Sequence, residues 1–212
     1  MGLLFTCKWY NLAMNTGNSQ GKKTKQKIYS SAIELITQNG YDNVTVDEIC
    51  QKAGVAKGTF YVHFKAKEDI IKNIYRENAQ KYINQQMKLD KNGIQGTLDE
   101  LYNCCLLFLE YAEKTGVNLT ALSYSSYLSP AAKNQRTYYA DSYSAQTLKN
   151  IINKSFDNNL FKPEYTLEII IKEIFIVLMG STVSWCMADG NYALKETASP
   201  IFYNLIYLQY KK

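Results

Sequence analysis

Apolar residues recur along almost the whole chain at the three- and four-residue spacing of an amphipathic helix, and no stretch sustains the alternation of a strand. The first run, over residues 23–39, sets Ile28, Ala32, Leu35 and Ile36 on one face. It stops at Asn39-Gly40, where glycine supplies a left-handed cap residue. A second run opens on Thr45-Val46-Asp47-Glu48, a capping box in which the threonine hydroxyl and the Glu48 carboxylate each satisfy an orphan amide. Val46, Ile49, Cys50 and Ala53 carry its apolar side, and Gly54 forces a stop. A very short third helix follows, with Phe60 and Phe64 at i and i+4.

Beyond it the spacing predicts a long helix over 67–87, a loop over 88–96, and helices over 97–114, 118–127, 130–156, 163–188 and 199–210. Three of these starts rest on proline. Pro130, Pro163 and Pro200 each precede an apolar run, and Ser129 and Ser199 stand before two of them as N-cap candidates. The expected fold is all-α: a flexible arm over residues 1–21, a three-helix unit over 22–66, and a helical domain over 67–212.

Composition narrows the function. At 212 residues and 46% apolar content the chain has material for a real core. The net charge of +5 means little when spread evenly, but residues 22–27 read KKTKQK, and Lys52, Lys57, Lys65 and Lys67 follow. That local excess suits a polyanion, or equally a solvated lysine face. The five cysteines form no C-x-x-C pair, so neither a disulfide framework nor a metal site is expected, and the reading is a reducing, cytoplasmic setting. Adjacent Cys104 and Cys105 diverge by roughly 100° on a helix. Residues 174–188 carry no charge, but fifteen positions fall short of the roughly 20 that span a bilayer, so a buried helix and no membrane partner are expected. A single histidine and the absence of H-E-x-x-H, Gly-rich phosphate loops and G-x-S-x-G argue against an enzyme, and no cofactor is expected.

Two short helices joined by a tight glycine turn and propped on a longer one form a helix-turn-helix, or an ordinary αα-corner. Residues 45–71, TVDEICQKAGVAKGTFYVHFKAKEDII, decide between them. They closely resemble the N-terminal signature of the TetR family of transcriptional regulators: a threonine-led helix, the Ala53-Gly54-Val55 turn, the Gly58-x-x-Tyr61-x-His63-Phe64 recognition helix, and Lys67-Glu68 opening the next helix. Ala56 and Ala66 depart from it, standing where a serine N-cap is common. The resemblance implies a homodimeric regulator, commonly a repressor, that binds a palindromic operator in double-stranded DNA and is released by a small hydrophobic or aromatic effector. It implies DNA contacts from Thr45, Lys57, Gly58, Thr59, Tyr61, His63 and Lys67, with Lys67 on a phosphate.

The same resemblance makes the larger part a ligand-binding and dimerisation domain. Cys104, Phe108, Tyr111, Tyr124, Tyr127, Tyr139, Tyr143 and Trp185 are the candidate lining of an aromatic pocket, though aromatics at helical spacing also suit plain core. Ile170, Ile174, Val177, Leu178, Ser181, Ile201, Leu205 and Leu208 are the candidate dimer contacts, equally suited to intramolecular core.

Overall fold

A computed structural model describes residues 20–88, 95–128 and 146–212. Its elements are α1 (Gln20–Asn39), α2 (Val46–Ala53), α3 (Lys57–His63), α4 (Lys67–Lys88), α5 (Leu98–Thr115), α6 (Val117–Leu128), α7 (Gln146–Asp157), α8 (Leu167–Met187) and α9 (Leu194–Tyr203), which continues as a π-helical turn, Asn204–Tyr210. Among the described residues the β pairing is one antiparallel bridge, Phe161 with Lys211. The fold is all-α, with an N-terminal helix-turn-helix. The expected helix from residue 130 lies outside the described residues until α7.

The chain divides into two compact units at Ile74/Tyr75, inside α4. The N-terminal unit packs α1 against α2 and α3. Ile28, Ala32 and Ile36 of α1 are buried on the face that periodicity predicts, together with Ile49, Cys50, Phe60 and Phe64. Ile70 and Ile71 of α4 are buried too and belong to this unit. Gly40 and Gly54 terminate α1 and α2 at φ of +81° and +65°, angles costly for any residue with a Cβ.

The C-terminal unit is built around α5, which touches α6, α7, α8, α9 and the π-helical turn. A helix surrounded in this way buries more than one stripe. Leu101, Cys104, Cys105 and Leu109 are all fully buried, so the divergence of the two cysteines sends both thiols into core. Ile151, Ile174, Phe175, Phe202 and Ile206 close around them.

Two proline expectations are corrected. Pro163 lies in the turn before α8, which starts at Leu167 because the Thr166 hydroxyl accepts the Ile169 amide. Pro200 sits inside α9, which starts six residues earlier at Leu194. Proline cannot donate to the carbonyl one turn back, that of Glu196. The Ser199 hydroxyl donates to that oxygen instead, at 3.0 Å, so the serine mends the ladder that the proline breaks rather than capping a new helix. At the chain end the Lys162 ammonium donates to the carbonyls of Leu208 and Gln209, satisfying acceptors of the π-helical turn.

α8 is long and apolar enough to cross a membrane by length and composition. Ile170, Ile174, Phe175, Leu178, Thr182 and Trp185 form one face of it and are buried in the unit's core.

Candidate nucleic-acid interface

α2 is held by the capping box that the sequence predicts. The Glu48 amide donates to Thr45 Oγ1 at 3.2 Å, and the Thr45 amide donates to Glu48 Oε2 at 2.7 Å. The Thr45 backbone and side-chain hydrogen bonds keep the exposed Glu48 carboxyl below its ordinary pKa. After the Gly54 turn, α3 starts without a side-chain cap, as Ala56 foretells. What orients α3 is Phe60 and Phe64, 0% and 2% exposed, their rings 5.8 Å apart.

With those rings inward, 100° per residue fixes the rest. Gly58 and Val62 point away from the core, Lys57 and Tyr61 flank one side, and Thr59 and His63 the other. Lys57 and Gly58 are exposed, Tyr61 is half exposed, and Thr59 and His63 are partly covered. The expected set on α3 therefore shares one outer surface. Val62, left out of that set, is 80% exposed; its i+4 relation to Gly58 was the available signal. A Cβ built on Gly58 meets nothing within 4 Å, so no contact within the described chain requires glycine there.

Charges modulate this surface. Lys57 pairs with Asp47 at 2.8 Å, and that hydrogen bond raises the pKa of its ammonium. Lys22, Lys23 and Lys27 are exposed in the first turns of α1, so the basic stretch is helical.

Lys67, the expected phosphate contact, has intramolecular partners. Its ammonium donates to the carbonyls of Tyr41 and Val44, at 2.6 and 2.7 Å, and stands 4.0 Å from the Tyr41 ring centroid. It clasps the α1–α2 turn to the start of α4. Lys67→Met is expected to lower stability by about 2 kcal/mol in urea denaturation, the size of hydrogen bonds to a charged group in a part-exposed site. A phosphate contact would instead show as a salt slope of DNA binding lower by about one per half-site.

In the C-terminal unit, Phe108, Tyr111 and Tyr124 of the expected pocket come together with Tyr75, Ala79, Leu178 and Thr182 around a cavity of about 10 Å³. That is room for about one water. Tyr75 and Ala79 were missed because the candidate lining was drawn from residues 104–185, although Tyr75, Ala79 and Tyr82 share helical spacing. Cys104 lies in the core, where burial pushes its thiol pKa up. Trp185 is core as well: it is 5% exposed and its indole donates to the Tyr192 carbonyl at 2.9 Å. Of Tyr127 only the backbone, in α6, is described, and Tyr139 and Tyr143 lie outside the described residues.

Beside the cavity, Glu110 accepts hydrogen bonds from Tyr82, Lys114 and Lys195 at 2.5, 2.6 and 2.7 Å. Burial opposes its ionisation, but these three donors outweigh it and hold its pKa at about 2. A carboxyl whose folded pKa is depressed stabilises the fold above its unfolded value of 4.5, and the contribution fades as pH falls toward 2. Glu110→Gln is therefore expected to flatten the acid limb of a thermal-denaturation profile between pH 4.5 and 2. An unchanged limb would show that the cluster carries no such linkage.

The expected dimer set splits. Ile170, Ile174 and Leu178 are at most 3% exposed and belong to the chain's own core, so they are corrected to intramolecular contacts. Val177, Ser181 and Leu205 are partly covered, and Ile201 and Leu208 are exposed. The apolar face that α8 leaves open runs through Ile169, Ile176, Gly180 and Met187, at steps of seven, four and seven residues. Among the described residues no group of His, Cys, Asp and Glu is arranged to hold a metal ion.

The family described as bacterial regulatory proteins, tetR family, matches residues 28–74. The helix-turn-helix-type transcriptional regulator YvdT of Bacillus subtilis is 32% identical over 138 residues, 63% of this chain and 68% of that protein. The fatty acid metabolism regulator protein of the same organism is 39% identical over 64 residues, 30% of this chain, and the match spans only a third (33%) of its length. Among solved structures, Thermus thermophilus FadR, a TetR-family transcriptional repressor in complex with lauroyl-CoA, superposes with a TM-score of 0.69 at 19% identity, covering 86% of this chain and 92% of that one. At that identity the likeness is one of fold.

Proposed function

The chain belongs to the TetR family of bacterial regulatory proteins, and from that premise we propose that it is a cytoplasmic repressor that binds a palindromic operator in double-stranded DNA as a homodimer and leaves it when a small hydrophobic or aromatic effector binds. The observation that carries the DNA reading is the outer surface of α3. Its inner face is locked by Phe60 and Phe64, while Lys57, Gly58, Thr59, Tyr61 and His63 share a surface beside the exposed lysines of α1. Thr45 adds its exposed hydroxyl at the start of α2, and Lys67 acts as a positioning residue through its clasp on the α1–α2 turn. A recognition helix of this kind reads base edges in the major groove while lysines and hydroxyls set its register on phosphates.

The open faces of α8 and α9 support a two-fold dimer, in which the same patch serves both copies. Two recognition helices then meet successive major grooves, which makes the operator palindromic. The aromatic lining of Phe108, Tyr111 and Tyr124 supports an apolar effector. The cavity is far smaller than the 300–1,000 Å³ of usual ligand sites. An effector must therefore favour a wider arrangement, and that differential affinity is what shifts the protein away from DNA.

In vitro selection from a random double-stranded DNA library with the full chain tests the reading. A palindrome bound as a dimer, with affinity falling steeply with salt, is the expected result. No enrichment over input would overturn it. Lauroyl-CoA, the ligand of the Thermus thermophilus fold relative, is the first effector probe, read as release of the selected DNA.

A further inference from the structure

Resting on the DNA-binding reading above, we propose that Val62 is a specificity-determining residue, its isopropyl group taking the C5 methyl of a thymine in the major groove. Tyr61 and Val62 are the large apolar side chains left strongly exposed among those described in the N-terminal unit, at 51% and 80%. Local structure gives no reason for valine there. A β-branched residue is a weaker helix former than lysine, glutamate or leucine. An exposed valine on a seven-residue helix therefore answers to something outside the chain.

The geometry says what that something is. Residues 58 and 62 lie two positions either side of Phe60, about 160° from its buried ring. They form the outermost ridge of α3, and that ridge carries no charge. At Gly58 nothing occupies the space where a Cβ would be, so an approaching surface reaches the backbone. Val62 stands one turn further along the same ridge and enters a groove with it. The phosphate backbone offers such a side chain nothing apolar. Among the base edges of the major groove, the thymine methyl is the apolar group. Lys57 and Tyr61 on one flank and Thr59 and His63 on the other remain to meet polar edges and phosphates.

The test uses the operator selected above. Each thymine is replaced singly by deoxyuridine, which loses the methyl and keeps every hydrogen-bonding group, and affinity is read by fluorescence anisotropy. One thymine position per half-site is expected to lose about fourfold in affinity, the size of one buried methyl. Val62→Ala, which removes the contact from both half-sites at once, is expected to bind the thymine operator roughly fifteenfold more weakly and to show no further loss with deoxyuridine. Val62→Ile keeps the sensitivity. Because Val62 is exposed, Val62→Ile should melt at the wild-type temperature and Val62→Ala at or slightly above it, since alanine is the better helix former. An operator insensitive to deoxyuridine at every position overturns the inference, as does sensitivity that survives Val62→Ala. Failure to select any operator strikes the DNA-binding reading instead.

Discussion

Gly58→Ala is expected to raise the melting temperature while it weakens operator binding, and Gly58→Leu is expected to abolish binding in a protein that still folds. The opposing signs come from one position. Gly58 lies within α3, where alanine is favoured over glycine by up to about 1 kcal/mol. The added Cβ meets no atom within 4 Å, so the free protein gains that preference without a clash. In the groove the same methyl occupies the space through which the backbone approaches DNA. Overfilling a close-packed contact costs about 1–3 kcal/mol, which corresponds to roughly tenfold for alanine and a hundredfold or more for leucine. Thermal melts paired with anisotropy on one preparation measure both terms. Binding that stays at wild-type strength in Gly58→Leu would place the DNA elsewhere on the unit.

The second large effect lies in the other unit. Ile176→Glu is expected to convert the protein to a monomer and to remove operator binding with it. Ile176 is 56% exposed, on the face of α8 opposite Ile170, Ile174 and Leu178. Its replacement therefore leaves the chain's own core intact. In a two-fold interface one substitution introduces two carboxylates, each buried without a partner. At several kcal/mol per buried ion, a loss of about 4 kcal/mol or more weakens association roughly a thousandfold. Analytical ultracentrifugation reads the mass directly. Ile174→Glu is the control, because that side chain is fully buried and its substitution should unfold the C-terminal unit instead. A dimer that survives Ile176→Glu would rule out the open face of α8 as the interface.

How far the chain could be read without a structure depended on whether its signals were local. The capping box at Thr45 and Glu48, the stops at Gly40 and Gly54, and the Phe60–Phe64 pair each join residues within a turn or two. All appear as expected. Contacts that depend on residues distant in sequence were not legible in this way. Ser199-Pro200 has the composition of a helix start, yet a serine that repairs a proline-broken ladder has the same composition. Lys67 matches a family position, but its ammonium is committed to carbonyls 26 and 23 residues away, a distance in sequence that no motif spans. The ligand set was drawn from aromatic content in the middle helices. Phe108, Tyr111 and Tyr124 meet at the cavity, whereas Cys104 and Trp185 are spent on core.

The sequence by itself determined that the chain is helical, that it opens with a helix-turn-helix, and that α3 turns Phe60 and Phe64 inward. In those helices polar residues cover the back, so burial of apolar surface has one solution. Tertiary structure alone decided which stripe of α8 is core and which is left open. That helix is apolar nearly all round, and because the hydrophobic effect has no direction of its own, periodicity could not choose between Ile170 and Ile169 or between Ile174 and Ile176. Packing against α5, α6, α7 and α9 made the choice. It buried Ile170, Ile174 and Leu178, three of the residues first taken for an interface, and left Ile169, Ile176, Gly180 and Met187 facing out.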